Sequence, residues 1–324
     1  MHLDQLVLFT MKEGQATFSE FSKSTFKNWL KEIKQKGSHL DFEKELKWRD
    51  PSGTELDPFY DASNTTVSTY ITHFFSSQPY PQWKLLHKIE VKDDKTANRE
   101  ALEALNNGCE GIIFDVKHHA PNPDILYDQI QAAHCSIFFT GSRTKDLDDF
   151  FNYYSSLEAC AFEGGADNWA SGHAQFSFTI DATHYRTLKE WSSLVLQIID
   201  CLKSKDQSVT VHLDHGSHFY HDLTKVRSLR FMVSALCRAE KIPFSTDRFR
   251  IHSSPRKRKG LAEGLISNSA TGLSLTLGAV NYLSFELDAQ DSADGQRWSR
   301  NVGNLLREEA QLTFEQDPIA GAHF

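Results

Sequence analysis

The sequence has no basic surplus, no long apolar run and little cysteine, and each shortage removes a class of function. Against 43 acidic residues stand 35 lysines and arginines, a net charge of −8, whereas a general nucleic-acid binder shows a basic balance or face. No stretch approaches the roughly 18 apolar residues of a membrane helix. The opening MHLDQLVLFTMKEG lacks the basic start and the apolar length of a signal peptide. No nucleic-acid partner and no membrane are therefore expected, and the cytoplasm is the expected location. The five cysteines are scattered, with no Cys-x-x-Cys pair, which points to reduced thiols and not to a disulfide frame. A Gly-rich dinucleotide loop, a P-loop and a Gly-x-Ser-x-Gly elbow are also missing. What is left is a soluble globular composition, 40% hydrophobic and 24% charged, with room for one large domain or two ordinary ones.

The most informative stretch is WKLLHKIEVKDDKTANREALEALNNGCEGIIFDV, residues 83–116. An apolar, β-branched and aromatic run from Trp83 to Val91 precedes two aspartates, either of which can cap a helix. From Lys95 to Asn107, Ala97, Ala101, Ala104 and Leu105 recur at helical spacing. Asn107-Gly108 suits a left-handed exit, and Gly111 to Val116 reads as a strand buried on both faces. Together these form one βαβ unit, which joins parallel strands by a right-handed crossover.

The pattern repeats downstream. Strand-like runs lie at Ser136–Thr140, Cys160–Phe162, Phe176–Asp181, Ser208–Leu213, Arg248–His252 and Asn281–Glu286, with amphipathic helices between most of them and a last helix near Gln296–Thr313. Eight parallel strands with their helices over about 250 residues is the size of a (β/α)8 TIM barrel, an α/β fold; a doubly wound open sheet is the alternative. The expected division is an N-terminal arm, residues 1–80, and a barrel, residues 81–324. In the arm, a helix carries Phe26, Trp29, Leu30 and Ile33 on one face and stops at Gly37. A short helix, a turn at Pro51-Ser52-Gly53 and an extended segment through Phe59 and Tyr60 follow. So aromatic an arm either covers its own domain or embraces another subunit.

Barrel chemistry sits just after the strands. Those places hold His118, His119, Glu163, His184, the series His212, His215, His218 and His221, and His252. Gathered imidazoles suit a divalent metal or proton transfer, but fifteen histidines fall near strand ends partly by chance, and the series has no clear carboxylate partner beyond Asp214. No metal site is expected. The run Arg256-Lys257-Arg258-Lys259 after the seventh strand suits a solvated loop; the alternative is a phosphate, such as that of a coenzyme A ester, with Arg256, Lys257 and Arg258 as its candidates.

HGSHFYHDLTKVRSLRFM (215–232) resembles the methylmalonyl-CoA mutase segment G-x-x-F-F-x-E-I-x-K-x-R-x-x-R, through Gly216, Phe219, Tyr220, Asp222, Leu223, Lys225, Arg227 and Arg230. RWSRNVGNLLREEAQLTFEQDPIAGAHF (297–324) is similar to that family's barrel-closing helix and Asp-Pro-x-x-Gly turn, through Arg300, Asn301, Glu308, Glu309, Asp317, Pro318 and Gly321. SGTELDPFY, DDKTANREALEALNNGCEGIIF and LTLGAVNYL (275–283) also resemble the family, its small or β subunit especially, so that the likeness runs from about residue 18 to the end.

The resemblance implies an adenosylcobalamin-dependent isomerase that interconverts methylmalonyl-CoA and succinyl-CoA by a radical shift, the cofactor carrying the chemistry. It also implies that the small subunit is a barrel that pairs with the catalytic large (α) subunit and is not itself catalytic. Three departures favour that subunit. The cobalamin signature Asp-x-His-x-x-Gly is absent. Where catalytic chains carry Tyr-His after the fifth strand, IDATHYRTLKEW has Tyr185-Arg186, with His184 two places before the arginine. The substrate-receiving Arg-x-Tyr-Ala-Gly is replaced by SSQPYPQWKLL. The expectation is thus a non-catalytic small subunit whose adenosylcobalamin is bound by the partner, with no cofactor and no intact catalytic set of its own. His184, Arg186, His215 and His252 are the candidates at the barrel mouth. A stand-alone TIM-barrel enzyme using the rim histidines, or a barrel that binds a CoA ester, is the alternative. Within the arm, Trp48, Phe59 and Tyr60 are expected to dock on the large subunit, and Trp29 on the chain's own barrel.

Overall fold

A computed structural model of the chain describes residues 24–37, 41, 45–49, 53, 55–61, 74, 80–117, 119, 121–131, 134–140, 177–181, 188–204, 208–215, 218–256, 258–287 and 293–319. It divides into two units, Met1–Ser68 with Gly321–Phe324, and Thr69–Ala320.

In the first unit, helix α1 (Phe26–Lys36) starts at Thr25, whose hydroxyl accepts from the Asn28 N–H, and ends at Gly37. On either side of the turn expected at Pro51-Ser52-Gly53, β1 (Trp48–Arg49) pairs antiparallel with β2 (Glu55–Leu56) in a hairpin. The Phe59 ring stacks on Trp29, centroids 5.6 Å apart, with Phe26 at 6.5 Å. Tyr60 accepts from the Asp57 N–H at 2.8 Å. Phe59 and Trp29 therefore engage each other, which corrects the expected assignment of the two rings to different surfaces. Trp48 is 41% exposed.

The second unit begins with β3 (Lys84–Glu90), α2 (Asp94–Asn106) and β4 (Gly111–Asp115), the βαβ unit read above. Asp93 is the cap, its carboxylate accepting from the Thr96 N–H at 2.9 Å. Ala97, Ala101 and Ala104 are the buried face of the helix. Gly108 leaves it at φ +93°, a conformation natural to glycine alone. There follow α3 (Pro123–Leu126), β5 (Ser136–Thr140), β6 (Ser177–Asp181), α4 (Leu188–Leu202), β7 (Ser208–His215), α5 (Phe219–Ala239), β8 (Phe249–Pro255), α6 (Leu261–Leu277), β9 (Tyr282–Ser284) and α7 (Ala293–Asn304). The last helix continues into a wider turn over Leu305–Glu309, in which the Ala310 N–H reaches the Leu305 carbonyl.

All neighbours in the seven-stranded sheet are parallel, in the order β5-β4-β3-β9-β8-β7-β6. That is a cyclic order, with the last strand paired to the first, whereas a doubly wound sheet reverses direction at a switch point. The two end strands, β5 and β6, flank in sequence the expected strand Cys160–Phe162, which lies outside the described residues. The curvature agrees. Flat strands three places apart would be about 14 Å apart, yet Phe138 of β5 and Tyr282 of β9 have ring centroids 5.0 Å apart. The fold is a TIM-type barrel.

Alternate side chains divide between its two faces. Leu85, Ile89, Ile112, Phe114, Val209, Val211, Leu213, Phe249 and Ile251 pack with the helices in the main core. Leu86, Ile113, Phe138 and Tyr282 form a separate cluster facing the axis. Gly111 lies under Leu86, and a side chain there would meet its Cδ2 at 2.7 Å. The last helix is held against α2 by an ion pair from Arg300 to Glu103 at 2.7 Å, and the turn after it is held to the start of β4 by Arg307 to Glu110 at 2.5 Å.

Candidate functional site

The upper half of the concave face, above the Leu86–Ile113–Phe138–Tyr282 plug, is polar. Lys88 of β3 sits between Asp115 of β4 (3.7 Å) and Glu286 just beyond β9 (3.5 Å), and Lys117 also reaches Asp115 at 3.3 Å. His212 of β7 and His252 of β8 are register partners, so their rings stack, 4.5 Å apart and 12° from parallel. Each Nε2 meets a serine on the neighbouring strand: His212 to Ser254 at 3.1 Å, His252 to Ser284 at 2.9 Å. Burial holds His252 well below the ordinary imidazole range, and the nearby His212 and Lys88 add to the effect. It is a neutral ring whose Nδ1 has no hydrogen-bond partner among the described residues.

A cavity of about 390 Å³ opens at the same end of the barrel, lined by Lys88, Glu90, Asp115 and Glu286 from the strand ends, by Lys92, Asp93, Thr96, Ala97 and Glu100 around the start of α2, and by Gln296 of α7. Burial raises the Glu100 carboxyl. Its volume is within the range of small-molecule sites. Its charge is mixed, with acid in excess.

His215 is not a mouth residue. Strand alternation places it with Val209, Val211 and Leu213 on the face that packs against the helices. There Nδ1 lies 3.3 Å from the Asp222 carboxylate in the first turn of α5, and Nε2 lies 3.2 Å from the Ser253 hydroxyl on β8. The order Asp–His–Ser is that of a nucleophilic triad. All three are buried, however, and Ser253 has no exposed surface, so no substrate carbonyl can approach its oxygen. Burial also lowers His215 to about 4, outweighing the opposing effect of Asp222. The chain of bonds ties two strand ends to a helix start. It also corrects the expectation that Asp214 is the main carboxylate of the histidine series: Asp222 is the partner of His215, and Asp214 holds Arg256 at 2.6 Å.

Of the other candidates, His184, Arg186 and Lys257 lie outside the described residues, as do His118 and Glu163. Arg258 is half-buried. His119 pairs with Asp94 at 3.0 Å, and His218 is exposed at the start of α5. Among the described residues there is no group of three metal-ligating side chains, and no helix is long and apolar enough to cross a membrane. Several residues of the family-like stretches meet one another instead of a ligand. Arg227 forms a two-pronged pair with Asp317, at 3.0 and 2.7 Å. Arg230 donates to the Ala279 carbonyl and to Asn281, and Lys225 donates to the Asp214 carbonyl while lying over Trp191. Lys88, Asp115 and Ser284 went unnoticed in the sequence. The only signal was a polar residue at an inward or terminal strand position.

No family model matches the chain. Over 384 aligned positions it is 21% identical to the methylmalonyl-CoA mutase small subunit of Porphyromonas gingivalis (strain ATCC BAA-308 / W83). The match takes in 97% of this chain but 62% of that protein, so the chain spans under two thirds of its relative's length. An identity this low supports a distant relationship. Solved structures of similar shape include dihydropteroate synthases from Yersinia pestis (10% identity, TM-score 0.41, 71% of this chain and 94% of that one) and Thermus thermophilus (14%, 0.44, 70% and 94%). Likeness at that level adds nothing to what the sheet order establishes.

Proposed function

We propose that the chain is a barrel subunit of an adenosylcobalamin-dependent acyl-CoA mutase of the methylmalonyl-CoA type, pairing with a large catalytic subunit and doing no chemistry itself. The similarity to a mutase small subunit along 97% of the chain carries this reading. Tyr185-Arg186, standing where the family's catalytic chains carry Tyr-His, favours the non-catalytic role.

The described mouth suits that role. Lys88 is committed to two carboxylates, and an acyl chain running along the axis would have to displace Phe138 and Tyr282, both buried. Nor do the described residues fit a corrin. The axis-facing imidazoles of His212 and His252 stack on each other with their Nε2 atoms against Ser254 and Ser284, and His252 is buried. In this reading the partner subunit binds the cofactor, and the isomerisation of methylmalonyl-CoA to succinyl-CoA belongs to the complex. What this chain supplies is a stable barrel and binding surfaces.

The test is to express the chain with the large mutase subunit encoded in the same genome. A complex that turns over methylmalonyl-CoA, beside an isolated chain that neither turns over nor changes the cobalt-linked absorbance of added adenosylcobalamin, supports the reading. Turnover by the isolated chain defeats it.

A further inference from the structure

The outward surface of three neighbouring helices is almost free of charge. Helices α4, α5 and α6 follow adjacent strands and pack in sequence, α4 on α5 and α5 on α6. On α4 the exposed positions between the two ends are Ser192, Ser193, Leu196 and Gln197. On α5 they form a stripe one turn apart: Tyr220, Thr224, Ser228, Met232 and Leu236. On α6 they are Ala262, Ile266, Ser269 and Ala270, with Ile266 72% exposed. Among the described residues of these helices the exposed charges are Lys189, Asp200, Arg238 and Glu263, each in a terminal turn. Helix α2 differs, presenting Lys95, Arg99 and Glu103 along its exposed side, as a solvated barrel helix ordinarily does. In a chain that is 24% charged, three adjacent faces without a central charge need a reason. Depletion of charge with enrichment in methionine and aromatics marks the core of a protein interface.

We infer that this α4–α6 face is the docking surface for the large subunit; the inference rests on the function proposed above. Size supports it. Helices of 15, 21 and 17 residues are about 22 to 31 Å long. Laid side by side at roughly 9 Å spacing, they present on the order of 700 Å², close to the ~800 Å² per partner of a stable interface. Charge selects the occupant. A second copy would bring two chains of net charge −8 together, and such self-repulsion favours monomers. The occupant is therefore a different chain, and the one that the proposed function calls for is the large subunit.

The experiment uses the full chain co-expressed with the large subunit, and three variants: Met232→Glu, Ile266→Glu and, as a control with a change of charge in the same direction and twice as large, Lys95→Glu on α2. All three sites are exposed, so their melting temperatures are expected to match that of the parent chain. The expected result is pairing weakened at least tenfold by either of the first two variants and unchanged by the third. If the parent chain pairs and Met232→Glu and Ile266→Glu pair equally well, the face is not the interface, while the proposed function stands. If the parent chain does not pair at all, both readings fail. A fall in the variants' own melting temperature would mean that the chain covers this face itself, and dimerisation of the isolated chain through these residues would assign the face to a second copy; each overturns the inference.

Discussion

Mild acid is predicted to destabilise the barrel before its carboxylates begin to titrate. Three imidazoles are buried in neutral form. His87 lies between the sheet and the helices, depressed to about 4 by burial and by the Arg300 guanidinium. His215 is also at about 4, with Asp222, Lys225 and Asp214 as its charged neighbours. His252 is depressed too, beside His212 and Lys88. An unfolded histidine titrates near 6.5. Above that pH both states are neutral and stability is at its full value. As the pH falls below 6.5 the unfolded chain takes up protons that the folded chain refuses, so stability is lost steadily until the folded-state value is reached. Between pH 6.5 and 5.0 this is about 1.5 kcal/mol for each of His87 and His215, about 3 kcal/mol together, with His252 acting in the same direction. Domains have only about 5–15 kcal/mol in total. The assay is urea unfolding followed by tryptophan fluorescence at pH 7.5, 6.5, 5.8 and 5.0. Midpoints should hold from 7.5 to 6.5 and then drop. A profile flat down to pH 5.0 would show that these rings are solvated or charged in the native state.

Two further outcomes test the packing. Phe138→Ala, removing the fully buried aromatic ring of the axial plug, should lower stability by about 3–5 kcal/mol as aromatic-to-alanine changes in cores do; a loss below 1 kcal/mol in urea unfolding would mean that the axis is loosely filled. Trp48→Ala should weaken pairing with the large subunit and leave the chain's melting temperature nearly unchanged, whereas Phe59→Ala should loosen α1 by taking away the ring stacked on Trp29; the reverse pattern, read by calorimetry and a binding titration, would reverse the two roles.

Much of the fold was legible because barrel strands buried on both sides announce themselves as short apolar runs. Gly111–Asp115 and Ser136–Thr140 lie where the sequence puts them, and Asp93, Asn107 and Gly108 bound α2 as their chemistry demands. The polar strand ends were harder. β7 runs on through Asp214 to His215 and β8 through Ser253 and Ser254 to Pro255, because buried partners satisfy side chains that in isolation read as loop. Parity was the signal available and missed. His212 and His215 differ by an odd number of places on one strand and so face opposite ways, one toward the axis with His252, the other toward Asp222. The plug was beyond reach: Phe138 and Tyr282 are 144 places apart in the sequence, and only the curl of the sheet brings them together. At Trp48–Leu56 the turn was legible and the pairing was not, since a two-residue ladder leaves no periodicity to read.

The central claim is that this barrel works as a subunit, and the most direct measurement is a pull-down of the tagged full chain from extract of its native cell, with mass-spectrometric identification and stoichiometry of what comes with it. The account predicts a single major companion, the large mutase chain, at one copy per copy of this chain and with methylmalonyl-CoA mutase activity in the eluate. Recovery of the chain alone, or with the large chain present in the extract but left in the unbound fraction, would contradict it.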